Sequence, residues 1–216
     1  MDSQVLSQLS YGIYAIGVND GGRPVGCIVN TVMQVTAQDP IISVSMSKNN
    51  YTCGAMRRTM SFSVSIVSEQ TRPIAISQLG FFSARDCEKY EGLAYHLIED
   101  GIPLLEEACT GFLICDILSM LDTESHVIFT ARVRDTQGGI VGRPMSYAYY
   151  HEVVKGKAPK NAPTYRKEDF TSAVVQGKER WICEICGYVH EGPLDGEPED
   201  YICPICGVDQ SHFKKQ

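Results

Sequence analysis

The chain of 216 residues has no apolar run approaching the ~20 residues that a bilayer-spanning helix needs. Its first residues, Met1 to Ser10, have neither a basic start nor an apolar stretch behind it, so no secretory signal is expected. Positive charge is in deficit: 19 Lys and Arg stand against 26 Asp and Glu, a formal net charge of −7. A surface of that sign does not neutralise phosphates, which argues against general nucleic-acid binding. No G-x-G-x-x-G follows a β-like run, so the dinucleotide fingerprint of a doubly wound fold is missing. There is no internal repeat. No pair of carboxylates stands out as a general acid and base, and Glu99-Asp100 and Glu106-Glu107 read as solvated surface charges. A soluble cytoplasmic protein, without membrane or nucleic-acid partners, is expected on these grounds.

Cysteine is what the chain does have. Four of its nine cysteines fall in two knuckles, Cys183-Glu-Ile-Cys186-Gly and Cys203-Pro-Ile-Cys206-Gly. Two C-x-x-C units at this separation bring four thiolates to one tetrahedral metal ion. The glycine after each second cysteine permits the positive φ that such a turn needs. An S4 site suits zinc or iron. From Glu179 to Gln216 the chain carries eight acids against three bases, and Trp181, Tyr188, Tyr201 and Phe213 stand around the knuckles. A nucleic-acid-binding zinc ribbon would be basic, so the acidity favours iron. So short a segment is too small for a large core, and a metal staple is expected there. Cys27, Cys53, Cys87, Cys109 and Cys115 have no knuckle spacing and read as buried or half-buried thiols of a reducing compartment.

The N-terminal part is mainly β. Tyr11 to Val18 is rich in β-formers, Asn19-Asp-Gly-Gly22 signals a hairpin turn, and Arg23 to Val35 reads as the return strand. Ile41 to Ser47 and Ser61 to Val67 alternate as strands, with a short helix from Tyr51 to Met60 between them. Helix is expected over Arg72 to Leu79, with a helical turn at Asp86 to Tyr90. Ile114 to Leu121 and His126 to Val133 read as paired strands joined by Asp122 to Ser125. Many strands with short helices suggest a β-barrel. Lys155 to Lys178, with six bases, two acids, Pro159 and Pro163, reads as a linker. Three parts are therefore expected: a barrel over 1–154, the linker over 155–178 and a small metal module over 179–216.

The knuckles, with Gly187-Tyr188 after the first and Pro204 inside the second, resemble rubredoxin with a shortened span between the two halves. That implies one iron held by Cys183, Cys186, Cys203 and Cys206. In order, Thr31-Val-Met-Gln-Val-Thr36, Asp39-Pro40, Val44 to Thr52, Phe62 to Ile66, Gly80-Phe-Phe-Ser83-Ala-Arg85-Asp86-x-x-Lys89 and Glu124 to Val133 resemble the flavin reductase-like family. The resemblance spans about 130 residues and implies an FMN-binding split barrel, which forms homodimers in that family. By that resemblance, Ser45, Ser47, Lys48, Asn49, Asn50 and Thr52 are candidates for the FMN phosphate, and Tyr51 is a further cofactor contact. Thr31, Met33, Gln34, Val35 and Thr36 are candidates for the edge of its ring. By the same resemblance Arg85 is a phosphate or dimer-partner contact, Ser83 a further cofactor contact, and His126, the catalytic candidate, lies near the flavin or nicotinamide pocket. Tyr147, Tyr149, Tyr150 and His151 read as core, or as lining for the flavin site or the domain junction.

Barrel followed by module resembles the high-molecular-weight rubredoxins. The implied activity takes electrons from NADH through FMN to iron, then to a partner protein. In that family the partner is a flavodiiron protein that reduces nitric oxide or dioxygen. The alternative is a stand-alone flavin reductase with a structural zinc ribbon.

Overall fold

The computed structural model describes residues 5–98, 100–154, 164, 179–198 and 200–215. The expected linker, apart from Thr164, and Glu99 lie outside the described residues.

Strands β1 (Tyr14–Asp20) and β2 (Arg23–Val29) form the expected hairpin, with Asp20 opposite Arg23 and positive φ at both Gly21 and Gly22. A turn with two positive φ angles follows the twist of the flanking strands. The strand expected from Arg23 to Val35 is in fact two. It breaks at Asn30–Thr31, and the second piece is β3 (Val32–Gln34). With β4 (Ile41–Ser47), β5 (Ser61–Ile66), β8 (Gly111–Asp122) and β9 (His126–Gly138) these make one antiparallel sheet in the order β2-β1-β5-β8-β9-β4-β3.

That order dictates a barrel. Only two residues separate β2 from β3, so those ends lie at most about 11 Å apart. In a flat sheet of seven strands the two edges would stand about 29 Å apart. The sheet must curl until its edges nearly meet, leaving a split at Asn30. Its inside is filled by Ile16, Val44, Phe62, Val64 and Phe129, all essentially inaccessible to water.

Helix α1 (Tyr51–Thr59) packs on β1 through Cys53, Ala55 and Met56. Asn50 caps it by accepting from the Thr52 amide at 2.9 Å, and Met60 ends it in the left-handed conformation. Helix α2 (Pro73–Phe81) starts with proline at its first position and buries Ala75, Ile76 and Leu79. The buried Lys89 ammonium donates to the carbonyls of Leu79, at 2.9 Å, and Phe82, so it closes the end of α2. Burial pushes the Lys89 pKa down to about 8. Asp86 to Tyr90 forms turns, not the expected helical turn: the chain bends there to bring Lys89 back under α2.

A small hairpin, β6 (Tyr95–Leu97) and β7 (Pro103–Leu105), covers the outside of β5. Ser63 donates to the Pro103 carbonyl at 2.5 Å and Ser65 accepts from the Leu105 amide at 3.0 Å, which is why these serines of β5 are buried. The hairpin comes so close that a Cβ on Gly17 would lie 2.2 Å from the Pro103 oxygen. Helix α3 (Tyr147–Glu152) packs Tyr150 into the core beside α2.

The metal module is a three-stranded sheet, β11 (Val189–Glu191), β10 (Arg180–Cys183) and β12 (Phe213–Lys215) in spatial order. Its core is the four cysteines with Leu194, Ile205 and Phe213, and the expected aromatics pack around them. Phe81 and Val154 also pack against this core, and a Cβ on Gly207 would lie 3.1 Å from Ile74 Cδ1. No helix among the described residues is long and apolar enough to cross a membrane.

Glu107 is not a surface charge. It is 6% exposed, and its carboxylate accepts from the Arg72 guanidinium and from the Ala94 amide at 2.7 Å. Those donors hold its pKa below the usual 4.5, Arg72 contributing most. Because the folded value is depressed, this stabilisation is complete above pH ~4.5 and fades as pH falls through the lowered value. Arg72→Ala removes the main donor to the Glu107 carboxylate and is expected to lower stability at pH 7. Urea midpoints at pH 7 and pH 3 check it: the gap between variant and parent should narrow at the lower pH. An equal gap at both would assign the loss to packing.

Candidate functional site

Two features of the structure carry chemistry, and they adjoin. The first is the sulfur cluster. The knuckles are near copies: Gly187 N donates to Cys183 O and Gly207 N to Cys203 O, each at 2.8 Å, while the Cys183 and Cys203 amides are tied to Tyr188 O and Val208 O. Both glycines hold φ near +70°, at 74° and 71°. This repeated turn points two sulfurs inward from each side. All four lie within 4.8 Å of one another and are buried, with Cys183–Cys206 and Cys186–Cys203 at 3.5 Å. A tetrahedral ion with sulfurs at about 2.3 Å gives S–S edges of about 3.8 Å, so the set fits a single ion. Protonation points the same way. Hydrogen bonds from the neighbouring thiols, Cys186 first, lower the pKa of Cys183, while the same crowding raises those of Cys186 and Cys206. Only a cation at the centre lets all four ionise together.

The second feature is a cavity of about 460 Å³ beside the barrel's split, a size typical of cofactor pockets. Its walls come from the end of β2, from β4 and the turn into α1, from α2 and the loop after it, and from Tyr147 and Tyr150 of α3. Of the residues expected from sequence, Ser45, Ser47, Asn49, Asn50, Tyr51, Ser83 and Arg85 stand on these walls. They form a polar end. Arg85 Nη1 donates to Asn49 O at 3.2 Å, the Ser47 hydroxyl accepts from Asn49 N at 3.3 Å and Ser83 Oγ accepts from Arg85 N at 3.2 Å. The guanidiniums of Arg23, Arg58 and Arg85 lie 6.0, 6.0 and 5.6 Å from the centre of the Tyr51 ring. Arg23 is paired with Glu88 and Arg58 with Asp20, whereas Arg85 has no carboxylate partner among the described residues. A cation without a carboxylate partner and the Ser45, Ser47 and Ser83 hydroxyls form a phosphate cradle.

The rest of the cavity is apolar, with Ile76, Leu79 and Phe81 on it. The sequence reading missed Asn30, at the split. It is 6% exposed, and its Nδ2 donates to Thr164 Oγ1 at 2.9 Å, but its Oδ1 is buried without a partner. An orphaned acceptor on the wall of an apolar slot suits a ligand with a ring N–H. Only the break between β2 and β3 marked Asn30, and the sequence pattern ran straight through it. Phosphate cradle, apolar slot and orphaned acceptor together fit a flavin mononucleotide.

The other expected residues stand apart from the walls. Thr31 to Thr36 run along the edge strand beyond the split; Met33 and Val35 are exposed, at 63% and 52%, and Thr31 O accepts from Ser45 N. Gln34 Nε2 donates to Thr36 O at 3.0 Å. Lys48 pairs with Asp122 at 3.2 Å and also donates to Thr123 O. Thr52 lies buried behind the wall with its hydroxyl unpartnered. His126 pairs in register with Ser47; its Nδ1 is 2.8 Å from Ser125 Oγ and its Nε2 is buried without a partner. Of the remaining cysteines, Cys27 is on the wall, and burial pushes its thiol up to about 11, so it stays protonated near pH 7. Two wall residues come from the metal module: Glu184 and Ile185, the pair inside the first knuckle.

Comparison with known proteins covers both features. Residues 6–156 match the flavin reductase like domain family, and residues 181–214 match the rubrerythrin, rubredoxin-like domain family. High molecular weight rubredoxin of Moorella thermoacetica is 34% identical over the whole of both chains. The ferric-chelate reductase (NAD(P)H) of Archaeoglobus fulgidus is 30% identical over 76% of this chain and 98% of its own. Among solved structures, an FMN-binding protein of Thermus thermophilus superposes with a TM-score of 0.56 at 22% identity, covering 60% of this chain and 73% of its own.

Cys203→Ser leaves three sulfurs for a four-coordinate ion. Metal content is expected to fall below about one tenth of the parent's. Amide protection over 181–214 should collapse while the barrel's melting is unchanged. Metal analysis and hydrogen exchange read both, and full metal retention would contradict the four-sulfur site.

Proposed function

The chain belongs to the flavin reductase like family and carries beyond that domain the rubredoxin-like domain of the high molecular weight rubredoxins, and on that premise we propose that it passes electrons from NADH through FMN to iron and on to an acceptor protein. It is an NAD(P)H-dependent oxidoreductase by this reading. The observation that carries it is the shared wall: Glu184 and Ile185 line the cavity, and the metal ligands Cys183 and Cys186 flank them in the chain. When bound, FMN takes two electrons together and releases them singly, and iron among four thiolates takes one at a time.

The chain's own residues bind, orient and exclude water. Arg85, Ser45, Ser47, Asn49 and Ser83 hold the phosphate. Asn30 Oδ1 accepts from the ring, and Ile76, Leu79 and Tyr150 keep that part of the site dry. Thr31 to Thr36 on the edge strand and His126 on β9 stand off the wall; we assign the first to the ring edge and His126 to the flavin pocket. The exposed Met33 and Val35 on the edge strand favour a second chain packing there, as a homodimer. The four cysteines hold the iron, and their burial keeps water from it. We assign the barrel to 1–154, the linker to 155–178 and the module to 179–216, in the cytoplasm. The acidic module suits a partner with a basic docking face, and a flavodiiron protein reducing nitric oxide or dioxygen is the acceptor we infer.

An anaerobic visible spectrum with metal analysis tests the reading. Flavin and Fe(III)–thiolate absorbance should both bleach on addition of NADH. Flavin with colourless zinc would reduce the module to a structural ribbon. Arg85→Ala is expected to weaken FMN binding about ten- to a hundredfold, the worth of one charged hydrogen bond. Quenching of FMN fluorescence by the apoprotein measures it, and an unchanged affinity would remove Arg85 from the cradle.

A further inference from the structure

The knuckle that joins the two centres also covers one of them. Among the described residues, the cavity wall apart from Glu184 and Ile185 comes from the barrel. Without the module, the cavity would be open on that side. We propose that the first knuckle is a door: docking of the module and binding of the nicotinamide donor exclude one another at the same opening of the cavity. The inference rests on the flavin reading above and adds to it an order of events.

Three observations carry it. First, both occupants need the same place. The donor must reach a flavin in the cavity, and the knuckle reaches that cavity with the two residues between its ligands. Second, the contacts across the junction among the described residues are apolar packing. Phe81 and Val154 pack on the module's core, and Ile74 meets Gly207, with a Cβ there only 3.1 Å from Ile74 Cδ1. No hydrogen bond or ion pair crosses the junction among the described residues, and such contacts let domains move relative to one another. Third, the chain ahead of the module is fastened at the cavity. The Thr164 hydroxyl accepts from Asn30 at 2.9 Å and lies 2.5 Å from the Tyr147 hydroxyl, and Asn30 and Tyr147 are both wall residues. A module released from the opening therefore stays close to it, at high effective concentration for return. Binding of donor and transfer to iron are then alternating states of one face.

Ile74→Glu tests this on the full chain loaded with FMN and iron. Ile74 is half-buried under the module, off the cavity wall and away from the sulfurs. Its carboxylate would disfavour docking. Val154→Glu is an independent second variant at the same junction. The probe is NAD+, which binds without reducing the flavin. In both variants NAD+ affinity should rise at least fivefold, followed by perturbation of the flavin spectrum. Hydrogen exchange should quicken at 76–85 and 184–187, with FMN affinity of the apoprotein and the iron–thiolate spectrum unchanged. Quickened exchange with unaltered NAD+ affinity would overturn the door. Unaltered exchange in both variants would overturn the docked arrangement itself. An apoprotein that binds no FMN would instead overturn the underlying reading, and this is seen before any NAD+ is added.

Discussion

The curl of one sheet positions most of what the barrel does. Two residues join strands that sit at opposite edges of a seven-stranded antiparallel order, and a peptide of that length cannot cross the width of a flat sheet. Closure therefore follows from covalent reach, with Phe62, Phe129 and their neighbours filling the inside. The price of near-closure is a split where backbone pairing stops. The cavity lies at that split, and so does the unpartnered carbonyl of Asn30. Elements outside the barrel serve it. The turn into α1 supplies polar wall residues, α2 supplies an apolar wall, and Lys89 fixes the loop that carries Ser83 and Arg85.

The metal module obeys a different constraint. Its core is four sulfurs and a handful of side chains, too little apolar area to hold some forty residues folded without an ion. Because the sulfurs are the core, the ligand loops are necessarily near the surface, and one of them can both face the cavity and hold the metal. Function here follows from smallness: a larger domain would bury its metal further from any neighbour.

Several features were legible in the residues. Alternation marked β4 and β5, paired β-formers marked β8 and β9, and the Gly-Gly turn marked the first hairpin. These are local patterns, and local sterics decide them. Other features were not. Glu107 looked like one of a surface pair because charge is the default at exposed positions; its partner Arg72 is 35 residues away. The serines of β5 are polar, yet the β6–β7 hairpin buries them by taking up their hydrogen bonds. Asp86 to Tyr90 has helical composition but must turn so that Lys89 can reach α2.

What the sequence determined by itself is the chemistry that spacing alone imposes, four thiolates from two knuckles, and a β-rich N-terminal part; the groups suited to a phosphate came from the family resemblance. Contacts between residues close in the chain, or ligands bound to one ion, need no knowledge of the fold. Only the tertiary structure decided which of those polar residues face one cavity, that Asn30 stands among them, and that the first knuckle completes the wall. Such facts depend on strands and loops far apart in sequence meeting around a curled sheet, and no local pattern encodes that distance.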